Sequence, residues 1–205
     1  MQIKIYPTKV PDVKVFSVSK KLDDGTINSD LLVTFQWDKF YKYISNNAKP
    51  FLIDAEDNIE KCHTLRGLYF SMPPRSSSML IRCIKGIVYQ VAVDLRVNSP
   101  TYRSWVGIEL SAENKKQMYI PEGFAQGYLT LCDDVIIQYK LDNYLPAEFC
   151  RIINYSDPLI GIQWPEAPVY LSARAKFAPG VELVEQEFAK LYFNKVIENY
   201  TEIKE

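Results

Sequence analysis

The chain has 205 residues, and its 24 basic and 25 acidic side chains are spread along it without a block of like charge. This length suits one domain with a sizeable hydrophobic core. The balanced charge argues against an electrostatic interface with nucleic acid or anionic lipid. No apolar run approaches the roughly 18 residues that a membrane helix needs. We therefore expect a soluble protein with no nucleic-acid or membrane partner.

Alternating apolar and polar residues dominate the chain. Residues 87–96, IVYQVAVDLR, alternate with period two, with Val91 on one face and Gln90 on the other. The same pattern predicts strands, in chain order, at about 13–18, 31–36, 64–72, 79–84, 87–96, 104–111, 127–132, 135–140 and 160–164. Many short strands in succession predict an all-β sandwich or barrel.

Two of the predicted connections contain only two residues. They are Lys85-Gly86, after the strand at 79–84, and Asp133-Asp134, after the strand at 127–132. Loops of two residues are typical of β-hairpins, so antiparallel pairing is predicted across both connections.

Two stretches have helical periodicity. Residues 37–45, WDKFYKYIS, predict a short helix. Residues 182–199 predict a longer helix, whose apolar stripe consists of Leu183, Phe188, Leu191, Tyr192 and Ile197. We therefore predict a barrel domain over residues 1–180 and a helical extension over residues 181–205, packed on the barrel or on a partner subunit.

Several catalytic chemistries lack the residues they need. A metal-binding jelly roll requires two or three histidines with a carboxylate, and this chain has one histidine, His63, which we expect at the surface or at the start of a strand. Serine- or cysteine-based triads would also need that histidine. No metal or other cofactor is predicted. With no secretory leader recognised, we expect reduced thiols in a cytoplasmic protein at Cys62, Cys83, Cys132 and Cys150.

Long segments of the chain match one family in order and spacing. They are VPDV (11–14), LRGLYF (65–70), VAVDLR (91–96), SPTYRSWVGIELSAENKKQMYIPEGFAQGY (99–128), QYKLDNY (138–144), DPLIGIQWP (157–165) and LSARA (171–175). Over residues 11–176 the chain thus resembles the dTDP-4-dehydrorhamnose 3,5-epimerases. The resemblance implies a cupin-type jelly roll, or double-stranded β-helix. It also implies a metal-free site for a nucleotide-diphospho-4-keto-6-deoxysugar and a homodimer whose N-terminal strands join the partner's sheet.

The resemblance also implies a proton-transfer mechanism whose polar residues are replaced here. In the family, a histidine held by an aspartate removes a proton beside the ketone, and a lysine with a carboxylate partner stabilises the enolate. Tyr69 stands at the position of the histidine in LRGLHF, and Ala175 stands at the position of its aspartate partner in LSxKD. Met79 stands at the position of the lysine in KLVR, and Gln90 stands at the position of that lysine's carboxylate partner. The second histidine, in GFAHG, is Gln126.

These replacements disfavour the family's proton chemistry. A free tyrosine, with a pKa near 10, is only about one part in a thousand phenolate at pH 7. Removing the cation at the enolate oxygen typically costs about 3–4 kcal/mol of transition-state stabilisation. Tyr69 is therefore predicted to donate a hydrogen bond to a ligand oxygen rather than to remove a carbon-bound proton.

Other positions keep the family's pattern. Arg66 matches the residue that binds the diphosphate, a role suited to guanidinium. Tyr139 matches the proton donor on the opposite face of the sugar, and Tyr144 matches an aromatic residue of the nucleotide and sugar site. Arg66 and Tyr69 are three positions apart, so both can face the site only if the strand bulges or twists, and Gly67 is where that is expected. The family's N-terminal D-x-R-G is absent from DDGTINSD at 23–30.

Three functions remain open from the sequence. The first is an active epimerase or isomerase of a nucleotide-diphospho-keto-sugar, with Tyr69 and Tyr139 as its proton pair, acting at both carbons or at one. The second is a non-catalytic binding or scaffold protein in polysaccharide sugar biosynthesis. The third is a changed reaction on another nucleotide sugar. Turnover of a keto-sugar separates the first from the second, and the nucleotide sugar that binds separates the third.

Overall fold

The computed structural model describes residues 2–19, 32–44 and 48–187. Its strands are β1 (Gln2–Tyr6), β2 (Lys14–Ser19), β3 (Ile53–Ile59), β4 (Thr64–Ser71), β5 (Met79–Lys85), β6 (Ile87–Asp94), β7 (Trp105–Ser111), β8 (Lys116–Ile120), β9 (Phe124–Thr130), β10 (Val135–Leu141), β11 (Cys150–Ile152) and β12 (Tyr170–Leu171). The helices are short: α1 (Trp37–Phe40), 3₁₀ turns at Tyr41–Tyr43 and Ala147–Phe149, α2 (Ala173–Lys176), and residues 181–187, which we label α3. Within these ranges no helix has the length and apolarity to span a bilayer.

The strands form two sheets that pack face to face. The first sheet has the order β1-β2-β8-β5-β10-β3, and the second has the order β11-β4-β9-β6-β7, with β12 added beside β4. Every ladder among these strands is antiparallel except β12–β4. This arrangement confirms the predicted all-β class, a cupin-type jelly roll or double-stranded β-helix.

The main core lies between the two sheets. It joins Ile81 and Ile137 of the first sheet to Val88 and Leu110 of the second. Strand β6 is buried on both faces, because its other face contributes Val91 to a second cluster. That cluster also contains apolar residues of the 153–160 segment and of α3: Ile153, Ile160, Val181 and Val184. The second sheet is therefore covered on its outer side, and α3 begins against the barrel.

Most predicted strands are confirmed, and two are wrong. The strands predicted at 13–18, 64–72, 79–84, 87–96, 104–111 and 135–140 are found within one or two residues, and the one predicted at 127–132 begins three residues earlier. Residues 32–36 and 160–164 belong to no strand. Their apolar side chains pack against core clusters instead, as Phe35 and Ile160 do. The predicted helix at 37–45 is helical only to Tyr43, and residues 188–199 of the predicted C-terminal helix lie outside the described residues.

The two predicted hairpins are wrong. Strand β5 belongs to the first sheet and β6 to the second, and β9 and β10 are divided in the same way. The short connections are corners that carry the chain from one sheet to the other. Each corner contains a residue with positive φ, Gly86 at +78° and Asp134 at +53°. A Cβ atom on Gly86 would lie 2.9 Å from the Cys132 sulfur, so this turn requires glycine.

Candidate ligand-binding site

Strand β4 carries a bulge at Gly67. Arg66 pairs with Tyr128 of β9, and the next paired residue, Tyr69, lies opposite Gln126, so two residues of β4 face one residue of β9. Gly67 has a φ of +119°, and a Cβ atom there would lie 2.7 Å from the Gln126 carbonyl oxygen, so only glycine fits. The bulge brings Arg66 and Tyr69 to the same cavity, which confirms the expectation placed on Gly67.

This cavity has a volume of about 270 Å³ and takes its walls from both sheets. Five of the seven predicted site residues line it: Arg66, Tyr69, Met79, Gln126 and Tyr139. Met79 and Tyr139 come from the first sheet, whereas Tyr69 and Gln126 come from the second. The sequence therefore located the cavity, and the catalytic and binding roles of these residues stay predictions.

Two predicted site residues lie outside the cavity lining. The Gln90 side chain is completely buried behind the wall, where its Nε2 donates a hydrogen bond to the Gln126 Oε1 at 3.3 Å. The Gln90 Oε1 has no hydrogen-bond donor among the described residues. Tyr144 is 61% exposed, on the segment that follows β10. Gln90 can therefore reach a ligand only through Gln126, and any contact with Tyr144 requires a ligand that extends out of the cavity.

One cavity residue, Asp57, was missed by the sequence analysis. It lies on β3 and accepts a hydrogen bond from the Tyr128 hydroxyl at 2.8 Å. Burial, and then the Asp57 carboxylate, raise the pKa of Tyr128 above its usual range, and the same two causes raise the pKa of Tyr139. Both phenols are therefore protonated at neutral pH and serve as hydrogen-bond donors. The one sequence signal for β3 is that Ile53, Ala55 and Ile59 share a face, and Asp57 interrupts that face.

Two guanidinium groups line the same cavity. Arg66 is exposed and forms no salt bridge with a described residue, and the same holds for Arg174 at the start of α2. Ala175, which follows Arg174, is buried at the position where the family resemblance expects an aspartate. Two arginines on one cavity, neither in a salt bridge with a described residue, have the chemistry that suits a diphosphate.

The chain is similar to known protein families and solved structures. The sequence model of the family described as dTDP-4-dehydrorhamnose 3,5-epimerase matches residues 7–182. The chain belongs to this family. A family member from Sinorhizobium fredii is 44% identical over 118 residues, which are 58% of this chain and 60% of that protein. One from Shigella flexneri is 36% identical over 163 residues, which are 80% of this chain and 87% of that protein.

The epimerase family is also represented by similar solved structures. The Legionella pneumophila 3,5-epimerase, solved in complex with dTDP-4-keto-L-rhamnose, superposes with a TM-score of 0.79 at 30% identity, covering 91% of this chain and 96% of that chain. The chain described here is therefore a dTDP-4-dehydrorhamnose 3,5-epimerase-like protein. The family match includes every strand from β2 to β12, and hence the whole cavity.

His63, the one histidine of this epimerase-like chain, lies away from the cavity. It precedes β4, has a φ of +57°, and pairs with Glu166 at the surface. Its side chain is 39% exposed, as expected for a residue at the start of a strand. In the described part of the chain, no three histidine, cysteine, aspartate or glutamate side chains are grouped to hold a metal ion.

Proposed function

We propose that the protein binds a nucleotide-diphospho-4-keto-6-deoxysugar in the cavity between its two sheets. The observation that carries this proposal is the bulge at Gly67, since Arg66 and Tyr69, on either side of it, line one cavity. Arg66 and Arg174 bind the diphosphate, and Tyr69 donates a hydrogen bond to a sugar oxygen. The family relative from Legionella pneumophila, which holds dTDP-4-keto-L-rhamnose, supports the choice of ligand.

Nucleotide binding is tested by thermal unfolding with and without dTDP. A ligand that binds only the folded protein raises its melting temperature. We expect dTDP to stabilise the wild-type protein and Arg66→Ala to lose most of that shift. Arg75→Ala is the matched control, since Arg75 is also exposed but does not line the cavity. Equal stabilisation of wild type and Arg66→Ala would remove Arg66 from the site.

Full 3,5-epimerisation is not part of the proposed activity. Of the described residues that line the cavity, none is a histidine or a lysine. Met79 is almost completely buried where the family resemblance expects the enolate-stabilising lysine. We expect only slow exchange of solvent deuterium into C3 and C5 of dTDP-4-keto-6-deoxyglucose, followed by NMR. Exchange at both carbons at the rate of a working epimerase would contradict this part of the proposal.

A second candidate is single-carbon epimerisation or isomerisation of a nucleotide sugar. It is favoured by the position of Tyr69 and Tyr139 in different sheets of the same cavity, since an inversion needs groups on opposite faces of the sugar. Exchange confined to one carbon would support this candidate. No exchange together with tight nucleotide binding would favour the non-catalytic binding or scaffold protein in polysaccharide sugar biosynthesis.

We also propose a cytoplasmic homodimer. Strand β1 is the edge of the first sheet, pairs only with β2 among the described strands, and exposes Ile5. An open edge of this kind can accept a strand from another chain. Light scattering is expected to give twice the 23.7 kDa chain mass, and a strictly monomeric mass would contradict the dimer.

A further inference from the structure

The structure assigns to Asp57 the role of proton acceptor in this cavity: a general base that removes a carbon-bound proton beside the ketone of the bound sugar. This role depends on the proposed function, because it needs a keto-sugar in the cavity. The sequence placed Met79, Gln126 and Ala175 at the positions of the family's acid–base residues, and these lie on β5, β9 and α2, whereas Asp57 lies on β3.

The protonation states of the cavity leave Asp57 as its base. The titratable groups that line it, among the described residues, are Asp57, Arg66, Tyr69, Tyr128, Tyr139, Cys150 and Arg174. Arginine keeps its proton in proteins, and phenols and thiols hold theirs at neutral pH unless a cation or a base activates them. Tyr128 and Tyr139 are shifted the other way, because burial and the nearby carboxylate raise both pKa values. Asp57 is the one carboxyl group among the described residues that line the cavity.

The geometry of Asp57 suits this role. Its Oδ2 accepts the hydrogen bond from the Tyr128 hydroxyl, which links β3 of the first sheet to β9 of the second. Its other oxygen, Oδ1, accepts no hydrogen bond from a described residue, and Asp57 forms no salt bridge with one. A carboxylate held at one oxygen and open at the other, in a mostly apolar cavity, is oriented to accept a proton from a ligand.

Asp57 can remove a proton from the carbon beside the ketone and replace it with a hydrogen from solvent. The C–H bond beside the ketone breaks, its proton forms an O–H bond with Asp57, and its electron pair moves to give an enolate. Asp57 exchanges this proton with solvent and returns a solvent hydrogen to the same carbon, while Tyr69 keeps its hydrogen bond to a sugar oxygen. The Asp57 carboxylate is restored in this way, and the carbon then carries solvent hydrogen.

The described residues that line the cavity include no lysine, and this limits the rate of the step. Arg66 and Arg174 are exposed and are assigned to the diphosphate in this proposal, so neutral donors such as Tyr139 are left to stabilise the developing enolate oxygen. Loss of charge stabilisation of this kind typically reduces a rate by about 100- to 1000-fold. The expected activity is therefore slow proton exchange beside the ketone, which depends on Asp57.

The test compares exchange and nucleotide binding in the same variants. General acid–base catalysis contributes typically about 100- to 10,000-fold, so Asp57→Asn is expected to reduce deuterium exchange into dTDP-4-keto-6-deoxyglucose by at least about 100-fold. The asparagine can still accept the Tyr128 hydrogen bond, and the dTDP-induced rise in melting temperature should be unchanged. Asp57→Glu keeps the carboxylate and is expected to retain more exchange than Asp57→Asn.

Glu56→Gln is the matched control, since Glu56 neighbours Asp57 on β3 but is exposed on the outer face. It is expected to exchange at the wild-type rate. Exchange that is unchanged in Asp57→Asn, or undetectable in the wild type while dTDP still binds, would overturn the role of Asp57. Absence of any dTDP-induced stabilisation of the wild type would instead contradict the proposed ligand.

Discussion

The Asp94 carboxylate at the end of β6 should contribute strongly to stability. Asp94 is completely buried and forms a bidentate ion pair with Arg96, with distances of 2.9 and 2.7 Å, and also accepts hydrogen bonds from Ser99 and Thr101. Burial alone would raise the pKa of Asp94, but these hydrogen bonds outweigh it and lower the pKa from 3.8 to about 2. At about 1.4 kcal/mol per unit, the difference corresponds to about 2.5 kcal/mol of folding free energy at pH 7.

The sign of the pH dependence follows from the lowered pKa. The stabilisation is fully present above the pKa of the unfolded chain, near 4, and is lost as the pH falls through that of the folded protein, near 2. Asp94→Asn resembles the protonated acid, so its deficit in free energy of unfolding should be about 2.5 kcal/mol at pH 7 and should shrink below pH 4.

Denaturant unfolding at pH 7, 5, 4 and 3 measures this deficit. The control is Asp54→Asn, which removes a half-exposed ion pair with Lys140 and is expected to cost less than about 1 kcal/mol. A deficit for Asp94→Asn that is below about 1 kcal/mol at pH 7, or that is the same at pH 7 and pH 3, would refute this account of the carboxylate.

Three further predictions concern the cavity wall. Tyr69→Phe should weaken binding of the keto-sugar nucleotide by about 1 kcal/mol in a titration, the usual contribution of one hydrogen bond; equal affinity would show that the hydroxyl does not contact the ligand. Tyr69→His should restore little proton exchange by NMR, since Ala175 cannot orient the imidazole and Met79 cannot stabilise the enolate; rapid exchange would contradict this. Gly67→Ala should lower stability by about 1–3 kcal/mol and abolish the dTDP-induced rise in melting temperature, because alanine disfavours a φ of +119°; an unaffected nucleotide shift would show that the bulge survives.

The sequence predicted the cavity because the residues that build it lie in long, specific motifs. The LRGLYF motif in β4 identified Arg66 and Tyr69, and the QYK segment of β10 identified Tyr139. The bulge was predicted at Gly67 because bulges often contain a glycine. Strong alternation predicted β6. These predictions depend on motifs and on alternation between neighbouring residues, and both can be recognised in the sequence without knowledge of distant contacts.

The missed features depend on contacts between distant segments. Strand β3 reads IDAEDNI, and Asp57 interrupts the apolar side of that alternation, so the strand and its carboxylate were missed together. Tyr128, whose hydroxyl donates a hydrogen bond to the inward-facing Asp57 carboxylate, is 71 positions away in the sequence. The corners at Gly86 and Asp134 have the length of hairpin loops. A corner differs from a hairpin in that the following strand joins the other sheet, and that depends on contacts with distant strands.

The inter-sheet corners also bear on how the chain folds. Most consecutive strands lie in different sheets, as at the Gly86 and Asp134 corners, and only β1–β2 and β6–β7 pair with a sequence neighbour among the described strands. Every other ladder must close a longer loop, and chains dominated by such non-local pairing fold on the order of milliseconds to seconds. The cavity needs both sheets, so nucleotide binding should appear only in the last phase of refolding, together with the final tertiary packing.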